Sequence, residues 1–188
     1  MEKHMLLREA ALGILGVVDR IGEADLGTVT PCSGWDVRAL SGHLLEWGPP
    51  LEGAARKESV PPGAAYGSVR EQLERLAEAW GAPEAWGAPE AWAGETRMAT
   101  AALPADRVGG MVLGEFVLHG WDLARALGVP VGWSDDVLRL LYAEIARSAD
   151  QGRSMGVYGP DVPVPPDAPL LERALGLSGR DPRWTPTA

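Results

Sequence analysis

The chain has 188 residues, 46% hydrophobic and 23% charged, which is long enough for one domain to bury a sizeable core without disulfides or a second chain. Its 26 acidic against 17 basic side chains give a formal net charge of -9 and no cluster of Lys and Arg offsets it, so a phosphate backbone is repelled and nucleic acid is not an expected partner. The single cysteine, Cys32, excludes an intrachain disulfide and a Cys-rich zinc site, and no apolar run approaches the roughly 20 residues that span a bilayer.

The N-terminus runs straight into a charged amphipathic pattern with no apolar signal segment, so the cytoplasm is the expected compartment. Leu7, Ala11, Ile14, Val18 and Ile21 then recur at three- and four-residue steps and predict a first helix over Met5 to Ile21. His4, near the terminus and without ligand-like spacing, is expected to be exposed. A second helix is predicted from Ser33 as cap, with Asp36 in its first turn; it carries His43 and is expected to stop by Gly48-Pro49-Pro50. After a Gly-, Ala- and Pro-rich connection, Ser68 and Glu71 form a capping box for a third helix bearing Val69, Leu73, Leu76 and Trp80.

The segment Ala79-Trp-Gly-Ala-Pro-Glu84 repeats as Ala85 to Glu90 and begins again at Ala91-Trp92, so Trp80, Trp86 and Trp92 recur every six residues. A Pro in each unit opposes a continuous helix, and residues 79–92 read as a duplicated loop insertion in preference to an aromatic binding patch. A fourth helix from about Val108 to Leu127 ends at Gly128 and Pro130, and Ser134 caps a fifth with Val137, Leu141 and Ile145 on one stripe. Residues 152–188 are irregular and Pro-rich apart from a short helix near Leu170 to Leu177, and no segment alternates cleanly over a strand's length. The chain is therefore expected to be all-α, an up-and-down bundle of four main helices with extra short ones.

Glu115 and His119 stand four apart on the fourth helix, so their side chains project from one face about a turn apart. They lie in an otherwise apolar run, where a carboxylate on an inner face is costly unless paired or metal-bound. With His43 from the second helix they make three nitrogen and oxygen ligands, the number that leaves a catalytic divalent site one open position. A core histidine donating to a backbone carbonyl remains the alternative for His43. Two imidazoles and a carboxylate admit zinc, nickel or copper, with zinc the expected ion. Cys32, eleven residues before His43, is placed about 15 Å away along the intervening helix and is expected to be a small structural residue outside the ligand set. Asp122 is expected either to orient an imidazole or to pair with Arg38. The Gly152-x-Ser154-x-Gly156 string follows a helix and has no histidine after it, so it is not a hydrolase elbow, and no nucleotide fingerprint is present.

Three patterns carry a resemblance: Thr30-Pro-Cys-x-x-Trp35-x-Val-Arg38-x-Leu-x-x-His43; Glu115-x-x-x-His119-x-Trp-Asp-Leu-Ala; and Tyr158-Gly-Pro-x-Val-Pro-Val with Gly179-Arg-Asp-Pro-x-Trp184. Together they resemble the DinB-like metal-binding proteins related to mycothiol-dependent maleylpyruvate isomerase. The resemblance implies a single DinB-type helical metal-binding domain over 1–188, with one divalent metal on His43, Glu115 and His119. It also implies mycothiol as the small-molecule thiol partner and a transferase or isomerase reaction on a small electrophile. That isomerase carries a further C-terminal domain, which this chain is expected to lack. A noncatalytic metal-binding sensor is the competing reading, and a third is a helical interaction module with Trp80, Trp86 and Trp92 as its contact surface. Monomer and homodimer are both compatible with the sequence.

Overall fold

The computed structural model describes residues 2–64, 66–81 and 88–186; Trp86 of the repeat lies outside them. Helix α1 runs Lys3–Val18, α2 Val37–Ala55, α3 Val69–Gly81, α4 Ala88–Ala91, α5 Ala105–Leu127, α6 Asp135–Ser154 and α7 Leu170–Leu177, with a short 3-10 turn at Glu23–Asp25. A two-stranded antiparallel hairpin, β1 Glu95–Met98 and β2 Ala101–Pro104, precedes α5. Helices α1, α3, α2 and α5 pack in a ring, each against two neighbours, and α6 lies outside it against α5 and α1, with α7 on α6. The ring encloses Leu7, Ile14, Leu40, Leu73, Phe116 and Leu123, all buried. Among the described residues no helix is long and apolar enough to cross a membrane.

The local signals of α3, α5 and α6 act as expected. The Glu71 carboxylate accepts from the Ser68 N–H at 2.6 Å while the Ser68 hydroxyl accepts from the Glu71 N–H at 3.2 Å, a reciprocal capping box. These bonds to Ser68 hold the Glu71 carboxyl below its ordinary pKa. Ser134 accepts from the Val137 N–H at the start of α6. Helix α5 ends on Gly128 in the left-handed region, φ 65°, with open space where a side chain would stand. Gly128→Ala therefore meets no clash and only the left-handed backbone cost, and is expected to lower stability by about 1 kcal/mol in urea denaturation.

Four expectations are corrected. Helix α2 does not stop at Gly48-Pro49-Pro50 but continues to Ala55. The lost hydrogen bonds are offset by packing: Pro49, Pro50, Leu51 and Ala54 are buried, and the Glu46 carbonyl that Pro50 cannot serve accepts from the Gly63 N–H at 2.9 Å. Gly48 lets Gln72 of α3 approach, since a Cβ there would lie 2.4 Å from the glutamine Cγ. The cap of α2 is Asp36, accepting from the Ala39 N–H at 2.7 Å, and not Ser33, which sits in a turn made by Gly34 at φ +82°. The hairpin was not expected, because its four-residue strands show no full alternation and its turn places Ala99, not glycine, at φ 50°. His4 is buried, since α1 starts at Lys3 and puts it on the same inward face as Leu7 and Ala11.

Two of the repeated tryptophans face inward. Trp80 lies in α3 at 0% exposure and donates to the Leu51 carbonyl at 2.8 Å; Trp92 is half-buried, donates to the Trp80 carbonyl at 3.0 Å and meets the Trp80 ring edge-on at 5.4 Å. Gly109 of α5 leaves room for Trp92, whose ring a Cβ would meet at 2.3 Å. These two side chains are core, which removes them from the contact surface of the interaction-module reading.

Candidate metal centre

The spacing of Glu115 and His119 on α5 turns both toward α2, where His43 faces them. The Glu115 Oε2 lies 3.2 Å from the His43 Nε2 and 3.5 Å from the His119 Nε2, and the ligand atoms of all three fall within 4.8 Å of one another. Metal bonds of 2.0–2.1 Å in a tetrahedral arrangement set ligand atoms about 3.4 Å apart, so the donor set has the size a small divalent ion needs. Trp35 stacks near both imidazoles, its ring 4.8 Å from that of His43 and 6.2 Å from that of His119. The group stands at the wall of a cavity of about 620 Å³, closed on other sides by Trp47, Leu118, Tyr158 and Arg180.

Behind His119 lies a buried ion pair. Asp122 Oδ2 is 3.0 Å from the His119 Nδ1, and Arg180 grips the same carboxylate in a fork, Nε to Oδ1 at 2.9 Å and Nη2 to Oδ2 at 2.8 Å. A carboxylate only accepts, so Nδ1 carries a proton, and Nε2, which faces Glu115, is the ring nitrogen left for a metal. Carboxylates in this position fix the orientation of metal-ligating histidines. Asp122 thus does orient an imidazole, but its cation is Arg180 and not Arg38, which is exposed. Arg180 is delivered by a tight crossing: Gly179, at φ +83°, would bring a Cβ within 2.6 Å of the Gly159 backbone.

Electrostatics keeps the carboxyls charged. Burial pushes the Glu115 carboxyl up, but the charge of His119 and the hydrogen bond and charge of His43 outweigh it and hold the group below its ordinary pKa. Asp122 is likewise pushed up by burial and brought below the ordinary range by Arg180 and His119. Burial lowers His43, and its bond to Glu115 more than reverses that, so it stays raised.

The placement of Cys32 overturns the helical distance argument. Because α2 begins at Val37, residues 30–35 are a turn and not a helix: the Thr30 hydroxyl accepts from the Cys32 N–H at 3.2 Å and donates to the Trp35 carbonyl at 2.9 Å. The turn folds Cys32 into the cavity wall, where its Sγ, a His119 nitrogen and an Asp122 oxygen lie within 4.8 Å of one another. Burial, with the nearby Asp122 and Glu115 charges and against that of Arg180, pushes the thiol up to about 11. In metal-free protein the rate of Cys32 alkylation by iodoacetamide is expected to stay low at pH 8 and to reach half its plateau near pH 11, whereas a rate rising near an ordinary thiol pKa, about 8.5, would contradict this.

Among the residues that spacing did not single out, Arg180 is the principal one. It stood in the Gly179-Arg-Asp-Pro pattern, yet nothing local ties it to Asp122, 58 residues earlier.

The family model described as the mycothiol maleylpyruvate isomerase N-terminal domain matches residues 7–124. The chain is similar to the crystal structure of the mycothiol-dependent maleylpyruvate isomerase, with a TM-score of 0.52 and 20% identity over 80% of this chain and 71% of that one. It is also similar to the structure of a mutant of that isomerase, with a TM-score of 0.50 and 19% identity over the same shares. At these identities the likeness is one of fold. No curated protein matches.

Proposed function

The chain belongs to the family of the mycothiol maleylpyruvate isomerase N-terminal domain, and on that premise we propose that it binds one divalent metal and uses a small thiol such as mycothiol in a transferase or isomerase reaction on a small electrophile. The observation that carries this reading is the convergence of His43, Glu115 and His119 within 4.8 Å beside a cavity large enough for a ligand. The ring of α1, α3, α2 and α5 is assigned to an up-and-down bundle of DinB type in a single domain over 1–188, acting in the cytoplasm as monomer or homodimer. Zinc is the expected ion, with nickel also compatible with the donors.

The residues divide the work. His43 and His119, when neutral, would each offer a ring-nitrogen lone pair, and Glu115 would offer the one negative charge of the donor set. A divalent metal held there supplies a Lewis acid that lowers the pKa of a thiol or water at its open position. Asp122 holds the His119 proton at Nδ1, and Arg180 keeps Asp122 charged so that it accepts and does not donate. Trp35, Trp47 and Leu118 cover the donors with apolar surface, which strengthens every charge interaction among them.

Metal analysis is the direct test. The purified, reconstituted protein is expected to carry near-stoichiometric metal, and His43→Ala and His119→Ala to lose it while remaining folded by circular dichroism. Calorimetry with mycothiol is expected to show heat only for the metal-loaded protein. Absence of metal after reconstitution overturns the reading; metal without any mycothiol heat removes the thiol chemistry and leaves a metal-binding protein.

A further inference from the structure

A second cavity, of about 140 Å³, shares Met111, Val157 and Tyr158 with the wall of the metal cavity. It lies between the hairpin, α5 and the C-terminal end of α6, lined by Met98, Ala101, Leu103, Ile145 and Met155. Resting on the metal-centre reading above, we infer that this chamber is a specificity subsite: it receives a ring-sized apolar arm of a ligand whose other end reaches the metal centre.

Four observations point to that occupant. The volume is close to the roughly 150 Å³ of a cavity that holds a benzene ring. Three of the lining side chains are methionines, Met98, Met111 and Met155, which adapt to irregular shapes and make favourable sulfur contacts with aromatic rings. Of the charged groups at its edge, Arg147 pairs with Glu144 and Asp106 and Arg107 is tied by a hydrogen bond to Gln151, while the rest of the wall is mostly apolar. The mouth is apolar too, Met155 and Val157 being 66% and 58% exposed. Tyr158, whose ring packs on Gly152 where a Cβ would stand 2.4 Å from it, forms with Met111 and Val157 the rim that the two cavities share.

The test uses two thiols on the zinc-loaded full chain, 2-mercaptoethanol and benzyl mercaptan, with affinities from calorimetry. Benzyl mercaptan is expected to bind at least about tenfold more tightly, the scale of burying one apolar ring. Ala101→Trp, on the exposed hairpin and outside the metal ligands, fills the chamber and is expected to abolish the preference while leaving the 2-mercaptoethanol affinity unchanged. Met155→Trp repeats the test from the opposite wall should the hairpin variant not fold. Equal affinities in the unmodified protein, or a preference that survives both substitutions, overturn the subsite and leave the metal centre standing. Failure of both thiols to bind overturns the thiol reading on which the subsite rests. A dimer in sedimentation that Ala101→Trp dissociates, with no preference between the thiols, assigns the chamber to a second copy of the chain and overturns the subsite.

Discussion

Arg180→Met is expected to lower the stability of the protein by about 3–5 kcal/mol and, in the same variant, to weaken divalent-metal binding about 10–100-fold. The side chains of Arg180 and Asp122 are 8% and 0% exposed, so water cannot replace the lost guanidinium. Removing the cation leaves Asp122 as an uncompensated buried charge, the costly case for an ion pair. The same carboxylate, no longer held in the guanidinium fork, no longer fixes the His119 ring that would take the metal. The two effects therefore come from one change. Pairing it with Asp122→Asn separates them: the double variant has no orphan charge and is expected to regain most of the stability, but not the metal affinity, because the neutral amide no longer fixes the imidazole. Urea denaturation reads the first quantity and chelator competition the second. Metal affinity unchanged in Arg180→Met would mean that the pair only braces the C-terminal segment.

The difference between what was legible in the chain and what was not follows the distance over which each feature is determined. The capping box at Ser68 and Glu71, the Ser134 cap and the Gly128 stop are closed within a few residues, and each stands where the sequence predicts it. His43, Glu115 and His119 were legible for a related reason: one helical spacing and one apolar setting raised them from commonplace residues to candidates, and the fold brings them together. Pro49 and Pro50 misled because their local cost is real and is overridden only by burial against α3 and by Gly63, which arrives from beyond the helix. Cys32 misled because its distance from His43 was measured along a helix that begins five residues later, at Val37. Arg180 is the limiting case. Its partner is 58 residues away and its presentation depends on the close crossing of two glycines, so only the assembled chain shows it.

Trp80→Ala is expected to cost about 3–5 kcal/mol in urea denaturation, and to leave the metal bound per folded molecule unchanged. The repeat invites the opposite expectation, because three tryptophans at equal spacing suggest a surface for stacking. Trp80, however, has no exposed surface, and its indole N–H is the partner of the Leu51 carbonyl just after the two prolines of α2. Truncation thus opens a ring-sized void between α3 and α2, removes the indole bond to the Leu51 carbonyl, and removes the edge against which the Trp92 ring packs. Trp80→Phe keeps most of the apolar volume and loses only the N–H bond to a carbonyl that stays in the α2 ladder, so its cost is expected near the roughly 1 kcal/mol of one hydrogen bond plus the small volume lost. Trp92→Ala should fall below Trp80→Ala, since Trp92 is only partly buried against the core. Trp80 does not line the metal cavity, which is why metal content per folded chain stays constant. A Trp80→Ala protein as stable as the unmodified one would mean that the indole is not core, and would return the repeat to the role of a contact surface.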